Sequence, residues 1–174
     1  MSSVLLVIVR AIAVVAFVVL LQMTLASQLS VGGASPDLVL LLAASAGVAN
    51  GPDRGARLGF FAGLTYDLFL RTPLGMSALV YTVVAYLVGS FQVPLAVHPS
   101  WWRAAGVAAA SAAGVLLWAA MAVVVGQEQL LGLPIVRVAL VVAAVNALAA
   151  PVALRMTAWL YGPLGAERPV GVES

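Results

Sequence analysis

Asp67 is the residue of this 174-residue chain with the clearest potential for chemistry. It directly follows the largely apolar segment Gly59-Phe60-Phe61-Ala62-Gly63-Leu64-Thr65-Tyr66. An ionisable group in an apolar helix is costly, so its presence indicates a functional or structural site. Arg71 follows four residues later, a spacing at which two side chains on a helix can pair. Asp67 is therefore an interfacial ion pair or helix cap, a buried structural bond or partner contact, or a proton-relay or ligand-binding group.

Few other residues of the chain could support catalysis. The chain contains no Cys and a single histidine, His98. It has no Gly-rich phosphate loop with a Lys, no metal-ligand spacing and no plausible Ser/His/Asp arrangement. We therefore expect no enzymatic activity, no cofactor and no metal. The formal net charge of +2 gives no indication of nucleic-acid binding.

The composition identifies the elements that must position Asp67. Apolar residues make up 64% of the chain and charged residues 8%, whereas soluble domains carry about 25% charged residues. The chain is therefore expected to be all-α, a polytopic membrane helix bundle in contact with the lipid bilayer. A membrane-spanning helix needs about 20 residues, and fewer when it is short or buried.

The apolar segments predict about six transmembrane helices in a single domain covering residues 1–161. Their expected boundaries are 4–26, 36–50, 55–70, 74–93, 101–125 and 134–161. In the second helix, Ser35 is the expected N-cap and Pro36 the first helical residue, with Asp37 beside the positive end of the helix dipole. The Gly/Pro-rich tail 162–174 is expected to be disordered and cytoplasmic.

The arginines predict the orientation of the bundle. One side receives Arg10, Arg54, Arg57, Arg103, Arg155 and Arg168, and the other receives Arg71 and, at the start of the last helix, Arg137. Arginine accumulates on the cytoplasmic side of membrane proteins, so both termini are expected to be cytoplasmic. Trp101, Trp102, Trp159 and Tyr161 fall at the same predicted interface. Arg10 lies inside the first helix, where it either snorkels to the headgroups or pairs with an acid or a partner.

Small residues on the third predicted helix indicate close helix packing. Gly55, Gly59, Gly63 and Asp67 recur every four residues, which places Gly59, Gly63 and Asp67 on one face. Glycines on such a face allow another helix to approach closely. The approaching helix belongs either to this bundle or to a partner protein. The interface is expected to include Arg71 and to continue through the turn that contains Pro73 and Gly75.

Asn146 and Pro151 are the structural candidates in the last predicted helix. Asn146 is an amide in the middle of an apolar segment, where it can hydrogen-bond to a neighbouring helix. Pro151 removes a backbone N–H and is expected to kink the helix.

The order of these motifs resembles the bacterial rod shape-determining protein family MreD over most of the chain. The resemblance is carried by Pro36-Asp37-Leu38, by Gly59 to Leu64 leading to Asp67, by Pro73-Leu74-Gly75 with Ala78-Leu79, by Tyr86-Leu87, and by Asn146-Ala147-Leu148 with Ala150-Pro151. It implies a non-enzymatic subunit of the cell-elongation machinery in the cytoplasmic membrane. The implied partners are MreC and, through it, MreB, RodA and a class B penicillin-binding protein, in lateral peptidoglycan synthesis.

A second function follows from the same resemblance, because MreD proteins look distantly like the substrate-binding membrane subunits of energy-coupling-factor vitamin transporters. Such a subunit needs a pocket with several convergent polar and aromatic groups. The outward end of this chain offers few polar and aromatic groups for such a pocket: Tyr66, Asp67, Arg71, Tyr81 and Glu128. The scaffold is therefore the favoured hypothesis, in which the Gly63 face and Asp67 hold the second to fourth helices in the shape that docks a partner.

Overall fold

The computed structural model describes residues 3–26, 35–70, 73–91, 100–126 and 134–162. Regular structure in this part of the chain is entirely helical, which confirms the predicted all-α class. The helices are α1 Ser3–Ala26, α2 Leu38–Asn50, α3 Pro52–Asp67, α4 Met76–Ser90, α5 Ser100–Val124 and α6 Ile135–Tyr161. Arg71 and residues 163–174, which include almost all of the predicted tail, lie outside the described residues.

Helix length divides the bundle into two groups. By length and composition, α1, α5 and α6 are long and apolar enough to cross a membrane. Helices α2, α3 and α4 contain 13, 16 and 15 residues, which corresponds to about 20–24 Å at 1.5 Å per residue. These three are shorter than a hydrocarbon core of about 30 Å.

Helix α2 forms the centre of the bundle. Every residue from Val39 to Val48 is buried, and α2 contacts each of the other five helices. An apolar surface on all sides of a helix is typical of a helix that is fully enclosed by others. The core consists mainly of α2 side chains and the valines, alanines and leucines that face them.

The start of α2 differs from the sequence prediction. Asp37, rather than Ser35, is the N-cap, and its side chain accepts a hydrogen bond from the Leu40 N–H. Pro36 precedes the cap instead of occupying the first helical position. The reason is that the Asp37 carboxylate can accept from the free N–H three residues later, which makes it an excellent cap, whereas the Pro36 carbonyl is used by a side chain of another helix.

Helix α3 begins and ends three residues earlier than predicted. A single residue, Gly51, separates α2 from α3, and its φ of 88° is a backbone conformation that glycine adopts without strain. Pro52 then starts α3 because its fixed φ suits the first helical turn. At the other end α3 stops at Asp67, and α4 begins at Met76 after Gly75, which has a φ of 94°.

The last helix continues through its proline. Helix α6 remains α-helical from Ile135 to Tyr161 with Pro151 inside it, and the Pro151 side chain is exposed. The lost N–H therefore lies on the outer surface of the bundle, where it interrupts no packed contact between helices.

Candidate functional site

The carboxylate of Asp67 binds the start of the next helix. Its two oxygens accept hydrogen bonds from the backbone N–H groups of Gly75 at 2.9 Å, Ser77 at 3.1 and 3.2 Å, and Ala78 at 3.3 Å. The first N–H groups of a helix have no partner within that helix, and Gly75, the N-cap of α4, has no side chain to supply one. Asp67 fills this role from the end of α3, and its side chain is 1% exposed.

The predicted glycine face of α3 lies against α4. A Cβ atom placed on Gly59 would lie 2.7 Å from the Tyr81 carbonyl oxygen, and one on Gly63 would lie 2.6 Å from the Ala78 Cα. Both obstacles are backbone atoms, so a side chain at either position would force the two helices apart. Gly59, Gly63 and Asp67 thus share one face, and α4 covers that face.

Three further glycines bring α2, α3 and α4 together at the opposite end of this unit. A Cβ on Gly55 would lie 2.6 Å from the Gly47 Cα, and one on Gly47 would meet the Ala85 carbonyl. A Cβ on Gly89 would lie 2.7 Å from the Pro52 Cα. The backbones of the three short helices are therefore in contact along most of their length, which favours dispersion contacts in an apolar solvent.

Asp37 joins α2 to α4. Its Oδ1 caps α2 through the Leu40 N–H at 2.8 Å, and its Oδ2 accepts a hydrogen bond from the Tyr81 hydroxyl at 2.7 Å. The Tyr81 side chain is buried. Each carboxylate oxygen has a defined partner, so Asp37 is a structural group whose two bonds fix the angle between the helices.

Gln22 joins α1 to the start of α2. Its Nε2 donates to the Pro36 carbonyl at 2.8 Å, and its Oε1 accepts from the Leu38 N–H at 2.8 Å. The Gln22 side chain is 3% exposed, and Tyr66 of α3 lies next to it. One buried amide therefore satisfies two backbone groups at the start of α2.

Asn146 joins α5 and α6 to the start of α2. Its Nδ2 donates to the Asp37 carbonyl at 3.2 Å and to the Ser111 hydroxyl at 2.9 Å. Its Oδ1 is buried and has no hydrogen-bond partner among the described residues. We call Gln22, Asp37, Tyr81, Ser111 and Asn146 the polar network. It connects α1, α2, α4, α5 and α6 in a largely apolar interior.

At the other end of the bundle, which we call the arginine end, Arg10 of α1 and Arg54 of α3 lie against the last turn of α6. The Arg10 guanidinium carbon is 4.6 Å from the centre of the Trp159 ring, and Nη1 donates to the Trp159 carbonyl at 3.4 Å. The Arg54 guanidinium is 5.5 Å from the Tyr161 ring centre, and the Tyr161 hydroxyl donates to the Arg54 carbonyl at 3.2 Å. Arg10 thus binds the end of α6.

Large apolar side chains cover much of the outer surface. They include Leu5, Ile8, Ile12, Phe17 and Leu20 of α1, Phe60 and Phe61 of α3, Leu79, Tyr86 and Leu87 of α4, and Val136, Leu140, Leu148 and Val152 of α6. A surface of this kind, 84% exposed at Leu148, is suited to lipid or to a partner helix and unsuited to water.

The sequence identified part of this arrangement. Asp67 and Asn146 were candidates because each is polar within an apolar segment, and Asp37 because it lies at a predicted helix start. All three hold helix ends or neighbouring helices. Pro36 enters the polar network through its carbonyl, which accepts from Gln22. The Gly75 N–H donates to Asp67, and the Pro73 carbonyl closes the turn before α4 by accepting from the Met76 N–H at 3.3 Å. The predicted pairing of Asp67 with Arg71 lies outside the described residues.

Gln22 and Ser111 were missed. Gln22 carries a readable signal, since it is an amide four residues before the predicted end of an apolar helix. Ser111 carries almost none, because serine is common in membrane helices and usually bonds to its own backbone. Within the described ranges, no three His, Cys, Asp or Glu side chains come together as possible metal ligands.

Comparison with known families identifies the family of the chain. The sequence model described as rod shape-determining protein MreD matches residues 2–161, a range that includes the polar network, the glycine face and the arginine end. No curated protein and no solved structure gives a significant match. The family is one of membrane proteins that determine cell shape, in agreement with the exposed apolar surface and the three membrane-length helices. The chain belongs to the MreD family of rod shape-determining proteins.

Proposed function

We propose that the protein is a non-catalytic membrane scaffold of the cell-elongation complex, required for lateral peptidoglycan synthesis. Membership of the MreD family carries this proposal. The proposed partners are MreC and, through it, MreB, RodA and a class B penicillin-binding protein. The proposed location is the bacterial cytoplasmic membrane.

The way the polar groups are used supports a scaffold. The carboxylates of Asp37 and Asp67 each bind backbone N–H groups at helix starts, so they hold helices at fixed angles. Catalytic carboxylates instead need access to a substrate. A rigid α2–α4 unit is what a scaffold requires in order to present a constant outer surface.

The same contacts weaken the vitamin-binding alternative. The polar groups considered for a pocket were Tyr66, Asp67, Arg71, Tyr81 and Glu128. Asp67 and Tyr81 are buried and bonded to other helices, while Arg71 and Glu128 lie outside the described residues. No observation on the described part of the chain favours transport, and we do not propose it.

The proposed topology has six membrane segments, with both termini in the cytoplasm. The arginine end would then face the cytoplasm, because Arg10, Arg54, Trp159 and Tyr161 meet there. The short helices α2, α3 and α4 would be surrounded in part by the longer α1, α5 and α6. All six helices would form a single domain.

We further propose that Gly59, Gly63, Asp67, Arg71, Pro73 and Gly75 act indirectly in partner binding. The contacts of Gly59 and Gly63 with α4 support internal packing in preference to direct docking on that face. A partner helix would instead contact the outer surface of the α3–α4 pair, whose shape depends on these residues.

Co-purification from the native membrane tests the function. The full-length tagged protein is extracted in a mild detergent and its partners are identified by mass spectrometry. Recovery of MreC with the synthase components is the expected result. Recovery of an ATPase pair with a coupling membrane subunit, and no MreC, would replace the scaffold by vitamin uptake.

A further inference from the structure

The last turn of α6 lies between arginines from two other helices. Arg10 of α1 stacks on Trp159, and Arg54 of α3 stacks on Tyr161. Arg57 lies three residues after Arg54 on α3, so the two side chains are neighbours on the surface of that helix. A guanidinium group from a different helix thus stacks on each of the two aromatic rings.

Among the residues that the structure describes, positive charge at this end greatly exceeds negative charge. Arg57 and Arg155 have exposed side chains, and Arg10 is half-buried. Asp53, at the exposed start of α3, is the one acidic residue that the structure describes near the start of α3 and the end of α6. The other described carboxylates, Asp37 and Asp67, are bonded at the opposite ends of α2 and α3.

Capping of α6 explains only part of this arrangement. The C-terminal carbonyls of a helix attract cations, and Arg10 satisfies the Trp159 carbonyl with one of its N–H groups. A guanidinium has five N–H donors, and within the described residues Arg10 places one of them on a protein oxygen. The exposed Arg57 caps nothing on α6.

Stacked guanidinium groups are well suited to phosphate. The planar group presents paired N–H donors that match two phosphate oxygens, and stacking on a ring holds it in place at little entropic cost. Basic pockets between membrane helices bind anionic headgroups on the cytoplasmic side.

We propose that Arg10, Arg54 and Arg57, with Trp159 and Tyr161, form a binding site for a phosphate-bearing anion, namely the headgroup of an anionic phospholipid. The site requires that this end of the bundle lies at a membrane interface. It does not depend on any protein partner, so its failure and the failure of the scaffold proposal are separable.

Lipid retention by the purified full-length protein tests the site. The protein is mixed in detergent with equal amounts of phosphatidylglycerol and phosphatidylcholine, and the retained lipids are counted by native mass spectrometry. The wild type should retain phosphatidylglycerol preferentially. Arg57→Gln should weaken that retention about fivefold, the effect of one arginine near an anionic membrane surface.

Arg137→Gln is the matched control, because Arg137 is an exposed arginine near the start of α6, at the opposite end of that helix from Trp159 and Tyr161. It should leave retention unchanged. Arg10→Gln should weaken retention as Arg57→Gln does, and its elution profile on a sizing column shows whether the bundle remains folded. Arg57 is exposed, so Arg57→Gln is expected to fold. Its lipid retention tests the proposal even if Arg10→Gln fails to fold.

A titration with inorganic phosphate separates the two sources of the phosphate group. Thermal stabilisation of the lipid-free protein by millimolar phosphate, lost in Arg57→Gln, would identify a site for free phosphate. Stabilisation by phosphatidylglycerol alone would identify the headgroup. Equal retention of the two lipids, or equal losses in Arg57→Gln and Arg137→Gln, would overturn the proposal.

Discussion

A carboxylate that is buried in an apolar bundle must be satisfied by hydrogen-bond donors. Asp67 receives such bonds from Gly75, Ser77 and Ala78, and the partial positive charge at the start of α4 stabilises it further. The apparent cost of an acid inside an apolar bundle is thereby offset by the otherwise unsatisfied start of a helix. Asp67 therefore links the end of α3 to the start of α4.

Replacement of Asp67 by asparagine should therefore reduce stability without abolishing the fold. The amide keeps one acceptor oxygen and loses the negative charge, so we expect a loss of about 1–3 kcal/mol in the free energy of unfolding. Reversible unfolding in mixed micelles measures the change. Asp53→Asn is the control, because Asp53 also lies beside a helix start but is exposed; a similar loss there would contradict the assigned role.

Replacement of Gly63 by leucine should have the larger effect. The new side chain would collide with the Ala78 backbone, and overpacking of this kind costs about 1–3 kcal/mol or more. We expect loss of the monodisperse peak on size exclusion and loss of partner recovery. Ala113→Leu, at an exposed position of α5, adds the same type of side chain towards the outside and should be tolerated. If Gly63→Leu preserves complex formation and cell shape, the glycine face is unimportant.

Among the elements, α6 shows how a long apolar helix acquires a fixed rotation. Hydrophobic contacts alone would allow α6 to turn or slide, because most of its side chains are similar in size and polarity. Asn146 removes this freedom by bonding to Ser111 on α5 and to the Asp37 carbonyl at the start of α2. One amide therefore sets the register of two long helices relative to the short central unit.

The bond between α5 and α6 should be measurable as a coupling energy. In a double-mutant cycle with Ser111→Ala and Asn146→Ala, we expect the two losses to be less than additive by about 0.5–2 kcal/mol, the usual size of such bonds in membrane bundles. Unfolding free energies of the four proteins give the result. Thr65→Ala, whose hydroxyl binds its own helix at the Phe61 carbonyl, should show no coupling to Asn146→Ala.

The sequence predicted the positions of the helices better than the contacts between them. Apolar segment length predicted six helices close to their observed positions, because backbone hydrogen bonds must be satisfied locally in an apolar environment. The start of α3 was misplaced since Gly51-Pro52 was taken as part of a longer turn. The four-residue glycine spacing indicated a close helix contact, but spacing within one helix cannot specify which other helix fills it. For the same reason, the partners of Asp37 and Asn146 could not be derived.

At the scale of the whole molecule, the two ends of the bundle differ in charge. Asp37 and Asp67 lie at one end of the α2–α3 pair, bonded within the protein, while Arg54 and Arg57 lie at the start of α3 with Arg10 beside Trp159. This separation provides a physical basis for a single orientation, because arginine-rich ends are retained on the cytoplasmic side.

The proposed orientation can be tested directly because the chain contains no Cys. In intact cells, a membrane-impermeant thiol reagent should label Gln129→Cys, which lies between α5 and α6. Asp53→Cys, at the exposed start of α3, should be labelled only after the membrane is permeabilised. The reverse pattern would mean that the arginine end faces outwards.

The central position of α2 has a consequence for the biogenesis of the protein. At 13 residues, α2 is too short to be held across a bilayer by its own hydrophobicity, yet its neighbours include α5 and α6, which the ribosome synthesises much later. Its final environment therefore does not exist until the last helix has entered the membrane. A chain that stops before α6 would leave the start of α2 without Asn146, exposing an incompletely bonded helix to the proteases that remove unassembled membrane proteins.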